Sequence, residues 1–151
     1  MLFALRNIVT FLALLGAGLL AGVLVGTGMA QFTAQDLPES SWVMRFQLED
    51  HLFAKVMPPI MLSTLLALIV AFVVSRGHSR WLFGTSIALM LLVVAITVGF
   101  EVPLNKQIQS WTPGSAPPEW KHVRDLWLQN HLLRTIAATL AFASSLAARI
   151  V

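Results

Sequence analysis

Trp81-Leu-Phe-Gly-Thr-Ser-Ile-Ala-Leu-Met-Leu-Leu-Val-Val-Ala-Ile-Thr-Val-Gly-Phe100 runs from end to end without a charge. A helix needs about 20 apolar residues to cross hydrocarbon. Three other stretches meet that length: about 8–30, about 52–74 and about 132–150. Lipid offers no partner for backbone N–H and C=O groups, so only helices and closed barrels cross it. The alternating polarity of a barrel strand is missing from all four stretches. The expected fold is therefore all-α: a four-helix transmembrane bundle forming a single integral membrane domain over residues 1–151.

Composition agrees with that reading. The chain has 151 residues, 57% of them hydrophobic and 11% charged, with mean hydropathy +0.77. A typical soluble domain is about 25% charged, and so few charges cannot cover this much apolar surface. Net charge is +3, yet no basic run interleaved with aromatics forms a nucleic-acid platform, so nucleic acid is not an expected partner. Cysteine is absent, which removes disulfides, thiolate ligands and a cysteine nucleophile. No Walker loop, dinucleotide-binding glycine pattern or GxSxG elbow occurs.

The first span imitates a signal peptide, with Arg6 ahead of an apolar run. Its length favours a retained helix. Its Gly18–Gly22 and Gly22–Gly26 spacings predict close helix packing. Four spans put both termini on one side with Arg6, Arg76, Arg80 and Arg149, and with no acid. All seven acids fall on the other side. The dense basic turn Ser75–Arg80 favours N-in and C-in topology, as in a bacterial inner membrane, with the polar loops outside. His78, in that turn, reads as solvated.

The titratable chemistry collects at the acidic end. Pro38 and the run after it suggest a turn followed by a helical approach to span two. Glu49 and Asp50 read there as N-terminal helix charges favoured by the dipole. His51 and Lys55, four apart, share a face, and Pro58-Pro59 predicts a bend that opens a cavity. Span three ends in Gly99-Phe-Glu-Val-Pro-Leu-Asn-Lys106. Pro103 removes a donor and clashes with the Gly99 carbonyl, so the helix should be interrupted. Glu101 then pairs with Arg134 or Lys55, or joins a ligand site with Asn105. Thr112–Pro118 is turn-rich, and Glu119–Asn130 reads as a polar helical extension before span four. Arg124, Trp127, His131 and Arg134 are spaced three, four and three, which aligns them on one helical face. Charge facing lipid is costly, so that stripe should face the bundle interior, unless Arg134 snorkels to the interface.

Together Phe100-Glu-Val-Pro-Leu-Asn-Lys-Gln-Ile-Gln-Ser-Trp111, Glu119-Trp120, Arg124-Asp-Leu-Trp127 and His131-Leu-Leu-Arg-Thr135 resemble the anthrone oxygenase-like family of small four-span membrane proteins. The likeness covers the second half of the chain. In the first half it rests on span spacing, His51 and Pro58-Pro59. Many family members carry Asn where this chain has Glu101. The resemblance implies an oxidoreductase that converts an anthrone to an anthraquinone with molecular oxygen and needs no bound cofactor. It implies an apolar or aromatic small-molecule partner, with lipid around the bundle and room for a homo-oligomer.

On that expectation the catalytic set is His51, Glu101, Asn105, His131 and Arg134, and the substrate contacts are Trp127, Arg124 and Lys55. Imidazoles titrate close to neutral pH, which suits His131 or His51 as base. Glu101 orients an imidazole, and Arg134 and Asn105 face a developing oxyanion. Two alternatives stand beside this reading. One is a metal-binding redox protein with a single divalent ion held by His51, Glu101 and His131, since two imidazoles and a carboxylate form a minimal non-haem set. The other is a non-catalytic membrane scaffold.

Overall fold

The computed structural model describes residues 2–151. In chain order the helices are α1 (Leu2–Thr33), α2 (Glu39–Val74), α3 (Gly77–Ile96), α4 (Val102–Gln109) and α5 (Trp120–Ile150). One π-helical turn, Thr97–Glu101, fuses α3 to α4. No strand occurs among the described residues. Four rods are long and apolar enough to cross a membrane: α1, α2, the fused α3–α4 and α5. The all-α four-span architecture is thus the observed one.

Two rods start well before their hydrophobic stretches. α2 begins at Glu39 and α5 at Trp120, so the expected helical approach to span two and the expected helical extension before span four are each continuous with their spans. With 36 residues, α2 reaches roughly 54 Å, against about 30 Å of hydrocarbon. The excess builds a second core at the end that carries the 34–38 and 110–119 loops. Trp42, Val43 and Phe46 of α2 pack there with Ile108, Trp111, Val123 and Trp127. Trp42 stacks on Phe46 at 5.2 Å, and Phe46 meets Trp127 edge-on at 5.3 Å. The polar extension is therefore one wall of a packed aromatic cap, continuous with span four.

Within the spans a different logic holds. Lipid is as apolar as leucine, so helices associate through small residues and interhelical hydrogen bonds. α5 buries Ala137, Ala138, Ala141, Ser145 and Ala148, and α3 lies against that stripe. The Ser79 and Ser86 hydroxyls of α3 donate to the Ala148 and Ala141 carbonyls, both at 2.8 Å. Ser144 of α5 returns a bond to the Leu82 carbonyl at 2.9 Å.

The glycine expectation needs correcting. A Cβ at Gly22 or Gly26 would meet nothing within 4 Å. The close approaches fall at Gly16, against Thr64, at Gly18, against the Phe142 ring, and at Gly28, against the His131 ring. Gly22 and Gly26 repeat the right spacing on a face without a neighbour.

The Pro103 interruption takes the form of the π turn. The Val102 N–H reaches back five residues to the Thr97 carbonyl, and α4 then starts with the proline in its first turn, where a missing donor costs nothing. α2 runs unbroken through Pro58 and Pro59.

Candidate functional site

Where the membrane core meets the aromatic cap, a cavity of about 460 Å³ opens between the helices. Its apolar side includes Leu20, Leu24, Met57, Pro58, Met61 and Val93. Its polar side includes Gln31, Glu49, Asp50, Asn105, Lys106 and Gln109, and Arg134 and Trp127 belong to the same wall.

Arg134 is the hub. Its Nη2 lies 3.1 Å from Glu101 Oε2 and 2.8 Å from His131 Nδ1, and its Nη1 donates weakly to Thr97 Oγ1 at 3.4 Å. The Glu101 contact is ionic and lies off the hydrogen-bonding direction. Both Glu101 oxygens are buried without a hydrogen-bond donor. Arg134 does not snorkel; it is held inside by α5 and the π turn. Five N–H groups against these acceptors leave hydrogen-bonding capacity on Nη1, and Arg134 lines the cavity.

His131 is locked by its partners. Arginine only donates, so Nδ1 carries a lone pair. The Leu24 carbonyl only accepts, so Nε2 carries the hydrogen of the 2.8 Å bond to it. The ring is neutral, stacked on Trp127 at 4.7 Å, 2% exposed, and pressed against Gly28. Both ring nitrogens are occupied, and the ring lies behind the cavity wall. It positions Arg134.

A second chain of bonds fixes the polar wall. Trp127 Nε1 donates to Asn105 Oδ1 at 2.8 Å, and Asn105 Nδ2 donates to Asp50 Oδ1 at 2.6 Å. Gln109 Nε2 donates to Asp50 Oδ2 at 2.8 Å. Asp50 is thereby tied to α4 and, through Asn105, to α5. Glu49 accepts from Gln31 and Arg45, each at 2.8 Å.

The structure brings Glu101, His131, Arg134, Asn105 and Trp127 of the expected site together. It leaves out three others. His51 and Lys55 are exposed and bond each other at 2.9 Å, away from the cavity wall. Arg124 donates to the Gln35 carbonyl and pairs with Asp125, which ties α5 to the 34–38 loop. His51 does not join Glu101 and His131, and no group of three or more His, Asp or Glu able to hold a metal occurs among the described residues. The expected three-ligand set is not assembled: His51 lies on the exposed face of α2, and Glu101 and His131 are each engaged by the Arg134 guanidinium.

Asp50 is the residue that sequence reasoning missed. With α2 starting at Glu39, Asp50 lies about three turns inside the helix and is not an N-terminal charge. The available signal was the apolar set Trp42, Val43 and Phe46, which continues the helix upstream with one buried face.

A family model described as anthrone oxygenase matches residues 50–144. No curated protein and no solved structure matches the chain.

Proposed function

The chain belongs to the anthrone oxygenase family, and from that premise we propose that its cavity binds an enolisable aromatic molecule within the membrane and oxidises it with molecular oxygen. The observation that carries the reading is one guanidinium, Arg134, with spare hydrogen-bonding capacity on the polar wall of a cavity whose opposite side is apolar. Such a donor stabilises an enolate oxygen as charge develops, while the apolar side holds fused rings.

Asp50, oriented by Asn105 and Gln109, removes the proton from the methylene carbon. The C–H electrons stay on the ring system as an enolate that Arg134 stabilises. The enolate reduces oxygen, a C–O bond forms, and Asp50 returns its proton to the peroxide. Loss of water then leaves a ketone. The sum is CH2 plus O2 giving C=O plus H2O, with the substrate as the only reductant and no bound redox cofactor. The cap and its loops face the non-cytoplasmic side in this reading.

The test is oxygen uptake and quinone absorbance for purified protein in lipid nanodiscs supplied with an anthrone. Wild type should exceed autoxidation in empty discs, and Asp50→Asn should lose roughly 100-fold or more, the scale of a general base. A wild-type rate equal to autoxidation, or an undiminished rate in both Asp50→Asn and Arg134→Gln, would sink the proposal.

A further inference from the structure

The charges around the cavity are balanced. Glu49 and Asp50 line it, as do Lys106 and Arg134. Behind the wall Arg45 pairs with Glu49 at 2.8 Å, and Glu101 pairs with Arg134 at 3.1 Å. Three negative groups thus face three positive ones.

Glu101 is the unusual member. It is 0% exposed, neither oxygen receives a hydrogen bond, and it does not line the cavity. A buried carboxylate without donors is costly to keep. Arg–carboxylate pairs are frequently aligned and bidentate, and this one is neither. Here the carboxylate sits off the N–H direction and leaves the guanidinium donors to His131, Thr97 and the cavity. Through its ion pair it supplies negative charge directly behind Arg134, one of the two cations that line the cavity.

That charge acts differently on two kinds of ligand. An anion seated on Arg134 also feels Glu101 one guanidinium further on. At an effective dielectric of about 20, a unit charge about 7 Å away changes affinity on the order of tenfold to a hundredfold. A neutral carbonyl or hydroxyl needs only the N–H donor and is little affected.

We infer that Glu101 is the specificity-determining residue of the cavity. It cancels the pull of Arg134 on molecules that arrive as anions. The site is thereby kept for neutral keto- or hydroxy-aromatic molecules, whose negative charge develops only after binding. This rests on the reading of the cavity as the ligand site.

Two probes of equal ring size separate the possibilities: naphthalene-2-sulfonamide, which is neutral, and naphthalene-2-sulfonate, a permanent anion. Their affinities are measured by equilibrium dialysis against protein in zwitterionic nanodiscs, with empty discs subtracted. Wild type should prefer the sulfonamide. In Glu101→Gln the sulfonate should gain on the order of tenfold to a hundredfold, while the sulfonamide moves by less than about threefold, so the preference reverses. A merely structural role would weaken both probes together. A wild-type preference for the sulfonate overturns the inference without any variant. An unchanged ratio in folded Glu101→Gln overturns it too, as does a shift seen only in Asp50→Asn. If the sulfonamide binds wild type without charge discrimination, only this inference falls. If neither probe binds wild type above empty discs, the cavity reading falls with it.

Discussion

Replacing Arg134 by methionine should cost about 3–5 kcal/mol of unfolding free energy, and replacing Glu101 by leucine at the same time should return most of it. At 3.1 Å the Arg134–Glu101 pair is worth about 5 kcal/mol of attraction at an effective dielectric of about 20. Burying each ion costs several kcal/mol, so the pair comes out near neutral. Removing only the cation leaves Glu101 fully buried with no donor on either oxygen, and its desolvation is then uncompensated. The double variant removes both charges and keeps roughly the same apolar volume. It should lie within about 1.5 kcal/mol of wild type, the residue being the lost bond to His131 Nδ1. The assay is reversible unfolding in mixed micelles, read as a double-mutant cycle. A single-variant cost below about 1 kcal/mol, or a double variant no more stable than the single, would refute the claim that Glu101 depends on this cation.

Three further outcomes follow from the geometry. Gly28→Ala places a Cβ 3.3 Å from the His131 ring, and Gly16→Ala drives one into Thr64, so each should destabilise by about 1–3 kcal/mol, whereas Gly22→Ala should be neutral in the same assay. Trp127→Phe keeps the ring stack but removes the donor to Asn105 Oδ1, which should cost about 1–3 kcal/mol and slow anthrone oxidation as Asp50 loses its orientation. The exposed pair His51→Ala and Lys55→Ala should shift stability by less than about 0.5 kcal/mol and leave oxygen uptake intact; a loss of turnover in His51→Ala would return that imidazole to the site.

The four spans were legible because hydropathy and length report directly on lipid. The Arg124, Trp127, His131 and Arg134 stripe was legible for a local reason: spacings of three and four align side chains in any helix. Charge on such a stripe has nowhere favourable to point except inward. Glu101 followed from it as a nearby counter-charge, and Pro103 announced its own interruption. The cap was harder to see. Hydropathy marks where lipid begins, not where a helix begins; a helical approach after Pro38 was legible, but reading Glu49 and Asp50 as N-terminal charges hid that they lie mid-helix. That placement had a chemical consequence. One residue along a helix is a rotation of about 100°, so the step from Asp50 to His51 runs from the cavity wall to the exposed face. Choosing the imidazole over the carboxylate was reasonable from residue type, but only the azimuth of α2 decides between them. That azimuth is set by long-range contacts to Ile108, Trp111 and Trp127.

The two sides of the cavity differ in rigidity, and this bears on what selects a ligand. On the polar side every carboxylate is held by donors from another helix or from its own, and Gln47 adds bonds to the Ile108 and Trp111 carbonyls at 2.9 Å. Moving Asp50 or Arg134 would break several of these bonds at once. The apolar side offers Met57 and Met61, whose unbranched thioethers repack at little cost. On the proposed function, ring number and outline should therefore be read loosely, and the position of the ligand's oxygen strictly. A series of hydroxyaromatics of increasing ring number should keep similar affinity as long as one carbonyl or hydroxyl stays in register with Arg134. Moving that oxygen by one ring position should cost about 1–3 kcal/mol, the penalty of an unmet polar pairing in a dry site. Affinity that tracks ring area and ignores oxygen position would mean that the cavity is a lipid-like hollow and that its polar wall serves only to hold the helices together.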